Sequence, residues 1–106
     1  MKRLLFILFL LSNVTLYGQK AKLPQGFVYV TDYIPHIEVD MKYHTAHNFV
    51  GRPIDGYHSA EVILTERATR ALQQVEKELN KEGLGLKVFD AYRPQTAVNH
   101  FKRWAK

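Results

Sequence analysis

A carboxylate and a guanidinium lie three residues apart in the segment Asp90-Ala91-Tyr92-Arg93-Pro94-Gln95. Pro94 disfavours α geometry at the residue before it, so Arg93 is forced into an extended or bridging conformation. The flanking patterns put a strand before this point and a helix after it. Arg93 is therefore projected from the carboxyl end of a strand, where open sheets commonly carry ligand groups. A cation beside the positive end of a helix is locally unfavourable. Asp90 is the nearest carboxylate that can neutralise it. From the residues alone two readings stay open: Asp90 and Arg93 brace the turn, or Arg93 is held out as part of a ligand site.

The other chemistry-bearing residues form weaker patterns. His44 and His47 are three apart, a spacing that serves a metal in a tight turn, yet they sit in a polar loop where histidines are usually just solvated. His36 follows Pro35, His58 follows a Gly-Tyr turn, and His100 falls off the apolar stripe of the last helix. All three read as surface residues. Asp55, beside Gly56, reads as a turn former. The chain has no cysteine, which excludes a disulfide framework, a thiolate zinc site, a cysteine nucleophile and a lipid anchor on cysteine. No G-x-S-x-G, Walker loop or G-x-G-x-x-G is present, and no metal ligand set is assigned on this chain.

Positioning these residues requires elements that the pattern supplies. Phe27-Val28-Tyr29-Val30 reads as a strand, and Ile37, Val39 and Met41 alternate with polar residues as a second, half-buried one. Residues 44–58 are loop-like, punctuated by Gly51, Pro53 and Gly56. From Thr65 the residues Ala68, Ala71, Leu72, Val75 and Leu79 mark one helical face, with Thr65 as cap and Gly83 as the left-handed stop. Leu86 to Ala91 reads as a central strand. Pro94 opens a final helix at its first position, with Ala97, Val98, Phe101, Trp104 and Ala105 as its apolar face.

Residues 90–98 resemble the D-[GA]-Y-R-P-x-x-A-[VQ] signature of the D-alanyl-D-alanine dipeptidases, the vancomycin-resistance type of zinc peptidase. Val39-Asp40-Met41-Lys42-Tyr43, Asn48-Phe49, Gly51-Arg52-Pro53 and Gly56-Tyr57 are similar to that family's upstream D-[LM]-[KR]-Y … N-F-x-G-x-x-[VI]-x-G-Y stretch. The resemblance covers roughly residues 28–106. It implies zinc-dependent hydrolysis of D-alanyl-D-alanine, with Arg93 stabilising the transition state and Asp90 orienting it. Pre-placed positive charge near a forming oxyanion is often a large catalytic contribution. It also puts Tyr43, Asn48 and Phe49 near the substrate groove. The family's metal motifs, S-x-H-x-x-G-x-A-x-D and a later glutamate–histidine pair, follow the Tyr-Arg-Pro segment and are not found here. The expectation is therefore the N-terminal portion of a dipeptidase domain, truncated at 106, with zinc as the family cofactor and its ligands missing from this chain. The alternative is an inactive remnant or peptide-binding module.

Composition bounds the rest. Residues 4–11 form an apolar run behind Lys2 and Arg3, too short for the ~20 residues that span a bilayer and shaped like an export signal. Residues 1–18 are expected to be a signal peptide, 19–26 a mobile leader and 27–106 the dipeptidase portion. Export to the periplasm or outside the cell follows, with no stable membrane association after cleavage. Loss of Lys2 and Arg3 lowers the formal charge from +5 to +3. That ordinary balance, with acids interleaved, argues against a nucleic-acid partner and leaves a small dipeptide as the expected one. The expected fold is α+β. It consists of a small mixed sheet, a central amphipathic helix and a second helix after the Tyr-Arg-Pro turn, the N-terminal part of a zinc D-Ala-D-Ala peptidase-like fold.

Overall fold

A computed structural model describes residues 20–106; the expected signal segment, 1–18, lies outside the described residues. The class is α+β, built on two short ladders. Strand β1 (Phe27–Tyr29) pairs antiparallel with β3 (Ile63–Thr65), in the register Phe27 to Thr65 and Tyr29 to Ile63. Strand β2 (Glu38–Val39) pairs parallel with β4 (Lys87–Val88). The expected parallel and antiparallel pairings are thus divided between two two-stranded sheets.

Local chemistry explains where each element stops. The aromatic and β-branched run begins as a strand, but Val30 already opens a single helical turn, α1 (Val30–Tyr33). Its N–H donates to Val62 at 3.0 Å, and its carbonyl accepts from Ile34 at 2.8 Å. The chain thus folds inward at a fully buried valine. In the next segment Ile37 and Met41 are buried as the alternation requires, whereas Val39 stays exposed, because β2 is only two residues long and has β4 as its one ladder partner. Leu86 to Ala91 gives only the two-residue β4, and Phe89 is left exposed. The segment expected as a central strand is therefore an edge.

Helix α2 (Glu66–Asn80) starts as its sequence dictates: Thr65 Oγ1 accepts from the Ala68 N–H at 3.2 Å. In the turn after Asn80, Gly83 has a φ of +74°, which favours glycine, and the Leu84 N–H bonds back to the Leu79 carbonyl at 3.0 Å. Its buried face is rotated from the apolar stripe. Ala68, Ala71 and Val75 are exposed, and Thr69 and Glu76 are buried beside half-buried Leu72 and Leu79. The polar pair is tolerated inside because both are satisfied. Thr69 Oγ1 donates to the Thr65 carbonyl at 2.9 Å, and Glu76 Oε2 accepts from the Leu86 N–H at 2.8 Å.

Helix α3 (Gln95–Trp104) has Pro94 as its N-cap, one place earlier than expected. Ala97 is fully buried, Val98 and Phe101 are half-buried, and Trp104 and Ala105 are exposed. The interior divides in two. An aliphatic cluster of Val30, Ile34, Ile37, Met41 and Val62 sits between α1, β3 and α2. A smaller cluster of Ile54, Tyr57 and Ala97 joins the 44–58 loop to α3, with Tyr43, Val50 and Phe101 packed against it. Among the described residues no helix is long and apolar enough to cross a membrane.

Candidate functional site

The β4–α3 junction carries Arg93, and the loop before β3 supplies what surrounds it. Arg93 Nη2 donates to Asp90 Oδ2 at 2.9 Å, and the Tyr57 hydroxyl donates to Asp90 Oδ1 at 2.9 Å. Both oxygens of Asp90 are engaged, so the carboxylate is locked between a phenol and a guanidinium. Burial first, and then the bond to Asp90, push the Tyr57 hydroxyl well above the ordinary tyrosine range. It therefore remains a proton donor at neutral pH. Its bond to Asp90 likewise raises Arg93 above its ordinary value. The brace read from sequence is formed, yet the Arg93 side chain is still 43% exposed.

Aromatic rings complete the setting. The Arg93 guanidinium lies 5.3 Å from the Tyr43 ring centre and 5.1 Å from that of Phe101, within cation–π range. Tyr43 belongs to a 3₁₀ turn (Lys42–His44) and packs edge-on against Phe101 at 5.2 Å. Phe49 stacks on Phe101 at 5.3 Å and meets Trp104 edge-on at 5.1 Å. Tyr43, Phe49, Asp90 and Arg93 are thus gathered into one cluster. Asn48 belongs to its supporting loop. Its amide nitrogen lies 3.2, 2.8 and 3.0 Å from the carbonyls of Lys42, Thr45 and Arg52, and its oxygen accepts from Val50 and Gly51. The Asn48 side chain spends its hydrogen bonds on the turn that presents Phe49.

Tyr57 is the site residue that sequence reasoning missed, although Gly56-Tyr57 stood in the upstream motif. The signal available was the glycine. Gly56 has φ +93°, and a Cβ there would collide with Thr96 Oγ1 and press on Pro94. Only glycine lets the loop lie against the start of α3 and deliver Tyr57 to Asp90.

The histidines divide differently from their sequence reading. His36, His47 and His58 are exposed. His44 Nδ1 donates to the Tyr57 carbonyl at 2.8 Å, which fixes its tautomer and steadies the same loop. His100, expected at the surface, is 3% exposed. Its Nδ1 accepts from the Asp55 N–H at 3.0 Å, which leaves the ring proton on Nε2. The 3.3 Å approach of Arg52 Nη2 to Nε2 is then a contact between two donors and no hydrogen bond. The correction has a simple cause: Ala97, His100, Phe101 and Trp104 also fall at i, i+3, i+4 and i+7, and a ring with a backbone donor waiting for it can occupy that face. Asp55 does more than form a turn, since its carboxylate holds Arg103 at 2.7 Å.

Among the described residues no group of three or more histidine, cysteine, aspartate or glutamate side chains is placed to hold a metal ion. An open cleft of about 540 Å³ is lined in part by Asp55, Gly56, Tyr57, Thr96 and Arg103, behind the loop, and Arg93 is not in its wall. The arrangement at Arg93 is that of a fixed cation with a carboxylate and a phenol behind it and an aromatic shelf beneath. It can bind and stabilise negative charge.

The family described as D-ala-D-ala dipeptidase (Peptidase_M15) matches residues 24–106, and the chain belongs to it. It is 38% identical over 80 residues to the D-alanyl-D-alanine dipeptidase of Enterococcus faecalis, a match covering 76% of this chain and 40% of that protein. The protein of the same name from Streptomyces coelicolor is 38% identical and that from Enterococcus faecium 35%, with the same coverage. The chain thus spans about two-fifths of the length of these curated relatives.

Proposed function

We propose that this chain is the arginine-bearing portion of a D-alanyl-D-alanine dipeptidase, and that Arg93 stabilises the oxyanion formed when water attacks the scissile amide of a small dipeptide. The observation that supports the reading is a guanidinium held by Asp90, which Tyr57 anchors in turn, on a side chain that stays 43% exposed. As water adds to the carbonyl carbon, negative charge gathers on the carbonyl oxygen. A cation already held in place meets that charge without reorganising, which is where electrostatic catalysis gains most. In this reading Asp90 is a positioning residue, Tyr43 and Phe49 flank the substrate, and Asn48 shapes the loop that carries Phe49.

Family chemistry implies a metal, zinc by resemblance, which activates the attacking water when bound. Among the described residues no set of three ligands is placed to hold it. The same observation favours a second reading, in which the chain alone binds without hydrolysing. Zinc content and D-alanyl-D-alanine turnover of the purified, dialysed chain separate the two. We expect no stoichiometric zinc and no turnover. One zinc per chain with turnover would bring His44 and His47 forward as ligands.

Arg93 is tested in a chimera, with residues 24–106 replacing the matched portion of the Enterococcus faecalis relative. There Arg93→Ala should lower kcat about 100- to 1,000-fold and leave zinc content unchanged; an unchanged kcat would return Arg93 to the role of a brace. We also propose export and action on wall-derived dipeptides outside the cytoplasm, on the strength of the apolar run at 4–11 behind Lys2 and Arg3. N-terminal sequencing of the exported product should begin after Gly18, and retention of Met1 would count against it.

A further inference from the structure

We propose that His100 is a positioning residue for Arg93 that works only while its ring is neutral, so that acid unlatches the loop carrying Tyr57 to Asp90. Its catalytic meaning rests on the reading of Arg93 as an oxyanion group. The His100 ring is buried on α3, and its Nδ1 accepts from the Asp55 N–H at 3.0 Å. Two residues further along the loop, the Tyr57 hydroxyl donates to Asp90, whose other oxygen holds Arg93. The path from His100 to Arg93 therefore runs through the three residues Asp55, Gly56 and Tyr57. Gly56 in the middle lies so close to Thr96 and Pro94 that a Cβ would collide with them. A segment packed this tightly against α3 passes a displacement at Asp55 on to Tyr57.

Two histidines hold this loop with opposite polarity. His44 Nδ1 donates to the Tyr57 carbonyl at 2.8 Å, and a donor nitrogen keeps its proton in the neutral and the charged ring alike. His100 Nδ1 accepts, and a charged imidazole has no acceptor left. Protonation therefore spares the bond from His44 and abolishes the bond to His100, setting two N–H donors face to face. The neighbouring charges do not restore that bond. From the loop, Arg52 Nη2 lies 3.3 Å from Nε2 and Asp55 Oδ1 lies 3.4 Å from Nδ1. From α3 itself, Arg103 reaches the other Asp55 oxygen at 2.7 Å. A new Nδ1–H can turn to the Asp55 carboxylate, but the Asp55 N–H has then lost its acceptor on the helix and turns toward water. The loop moves with it.

The test is a titration of the full chain from pH 8 to 5, the range in which histidine switches act. Nitrogen NMR follows the His100 ring and the Arg93 side chain together. Averaging of the Arg93 guanidinium should quicken several-fold on acidification, with the same midpoint as the His100 ring. Asparagine places a carbonyl oxygen that does not titrate near the position of Nδ1. His100→Asn should therefore keep the slow averaging across the whole range, and His100→Ala should average fast at every pH. Arg93 averaging that stays level while the ring titrates would overturn the proposal. So would a ring that stays neutral throughout, or the same acid response in His100→Asn as in wild type. Where a variant fails to fold, the wild-type chain still decides, since midpoints that differ would overturn the coupling. The readout needs no turnover. An unchanged kcat in Arg93→Ala would thus remove the oxyanion reading and leave the link from His100 to Arg93 standing.

Discussion

The two halves of the interior are built from different materials. The cluster around Val30, Ile34, Ile37, Met41 and Val62 is aliphatic, and its helix α2 buries two polar residues only because each has a backbone partner. The cluster around Ile54, Tyr57 and Ala97 is small and rimmed by aromatics, and it is tied together by side-chain bonds from Tyr57, His44, Asn48 and His100. Aliphatic packing is non-directional and fixes a fold. Directional bonds to buried or half-buried groups fix the orientation of individual side chains, which is what a braced arginine needs. Stability is therefore concentrated on the first side and geometry on the second.

That division sets an order of mutational effects. Ile34→Ala, in the aliphatic cluster and 6% exposed, should cost about 2–5 kcal/mol by lost transfer energy and cavity formation. Thermal melts should show it as the largest loss in the series. A loss under about 1 kcal/mol would mean that the cluster is plastic and the contrast between the halves is overdrawn. Gly56→Ala comes next. It combines a positive φ with a collision against Thr96 and Pro94, and a cost of about 1–3 kcal/mol follows from backbone strain alone. Its effect should also reach Asp90, because the same loop delivers Tyr57.

Tyr57→Phe should be smaller in stability, about 1 kcal/mol for one hydrogen bond, but specific in consequence. Asp90 keeps Arg93 and loses its second anchor, so the guanidinium should rotate more freely. Nitrogen NMR of the Arg93 side chain should report faster averaging. The pH dependence follows from the raised folded-state value of Tyr57. Its contribution is fully present below the unfolded tyrosine value of about 10 and is lost as pH rises through the folded one. The stability gap between wild type and Tyr57→Phe should be constant from neutral pH to about 10 and narrow above it. A gap that widens there would mean that the phenol is not held neutral by its surroundings.

On both sides, local chemistry was legible in the sequence and contacts between distant residues were not, for physical reasons. The cap at Thr65, the stop at Gly83 and the proline-led start of α3 are local chemistry, carried by residues within one turn of each other. The strand–Arg–helix junction and the Asp90–Arg93 contact are equally local. What was misjudged depends on distant partners. Thr69 and Glu76 displace an alanine face because a carbonyl and an N–H wait for them. His100 is buried because Asp55, 45 residues away, offers a backbone donor. Tyr57 reaches Asp90 across 33 residues, and no periodicity encodes that meeting. The ladders came out short because an alternating pattern states which face is buried and says nothing about how many neighbours a strand will have.

The smallest expected effect lies outside both clusters and serves as their control. On the exposed side of α2, Glu66 accepts from Arg70 at 2.9 Å and from the Tyr33 hydroxyl at 3.0 Å. Its carboxyl lies below the ordinary glutamate range, chiefly because of the Arg70 bond and secondarily the Tyr33 bond. A depressed carboxylate stabilises above its unfolded value, and that contribution is lost as pH falls through the folded one. Arg70→Ala should therefore lower the melting temperature slightly at neutral pH, and the difference should vanish on acidification and shrink in high salt. Exposed pairs are weak because water and ions screen them. A loss at neutral pH as large as that of Tyr57→Phe would mean that a surface pair counts as much as the buried anchor of Asp90. The distinction between orienting bonds inside the molecule and decorating bonds on it would then fail.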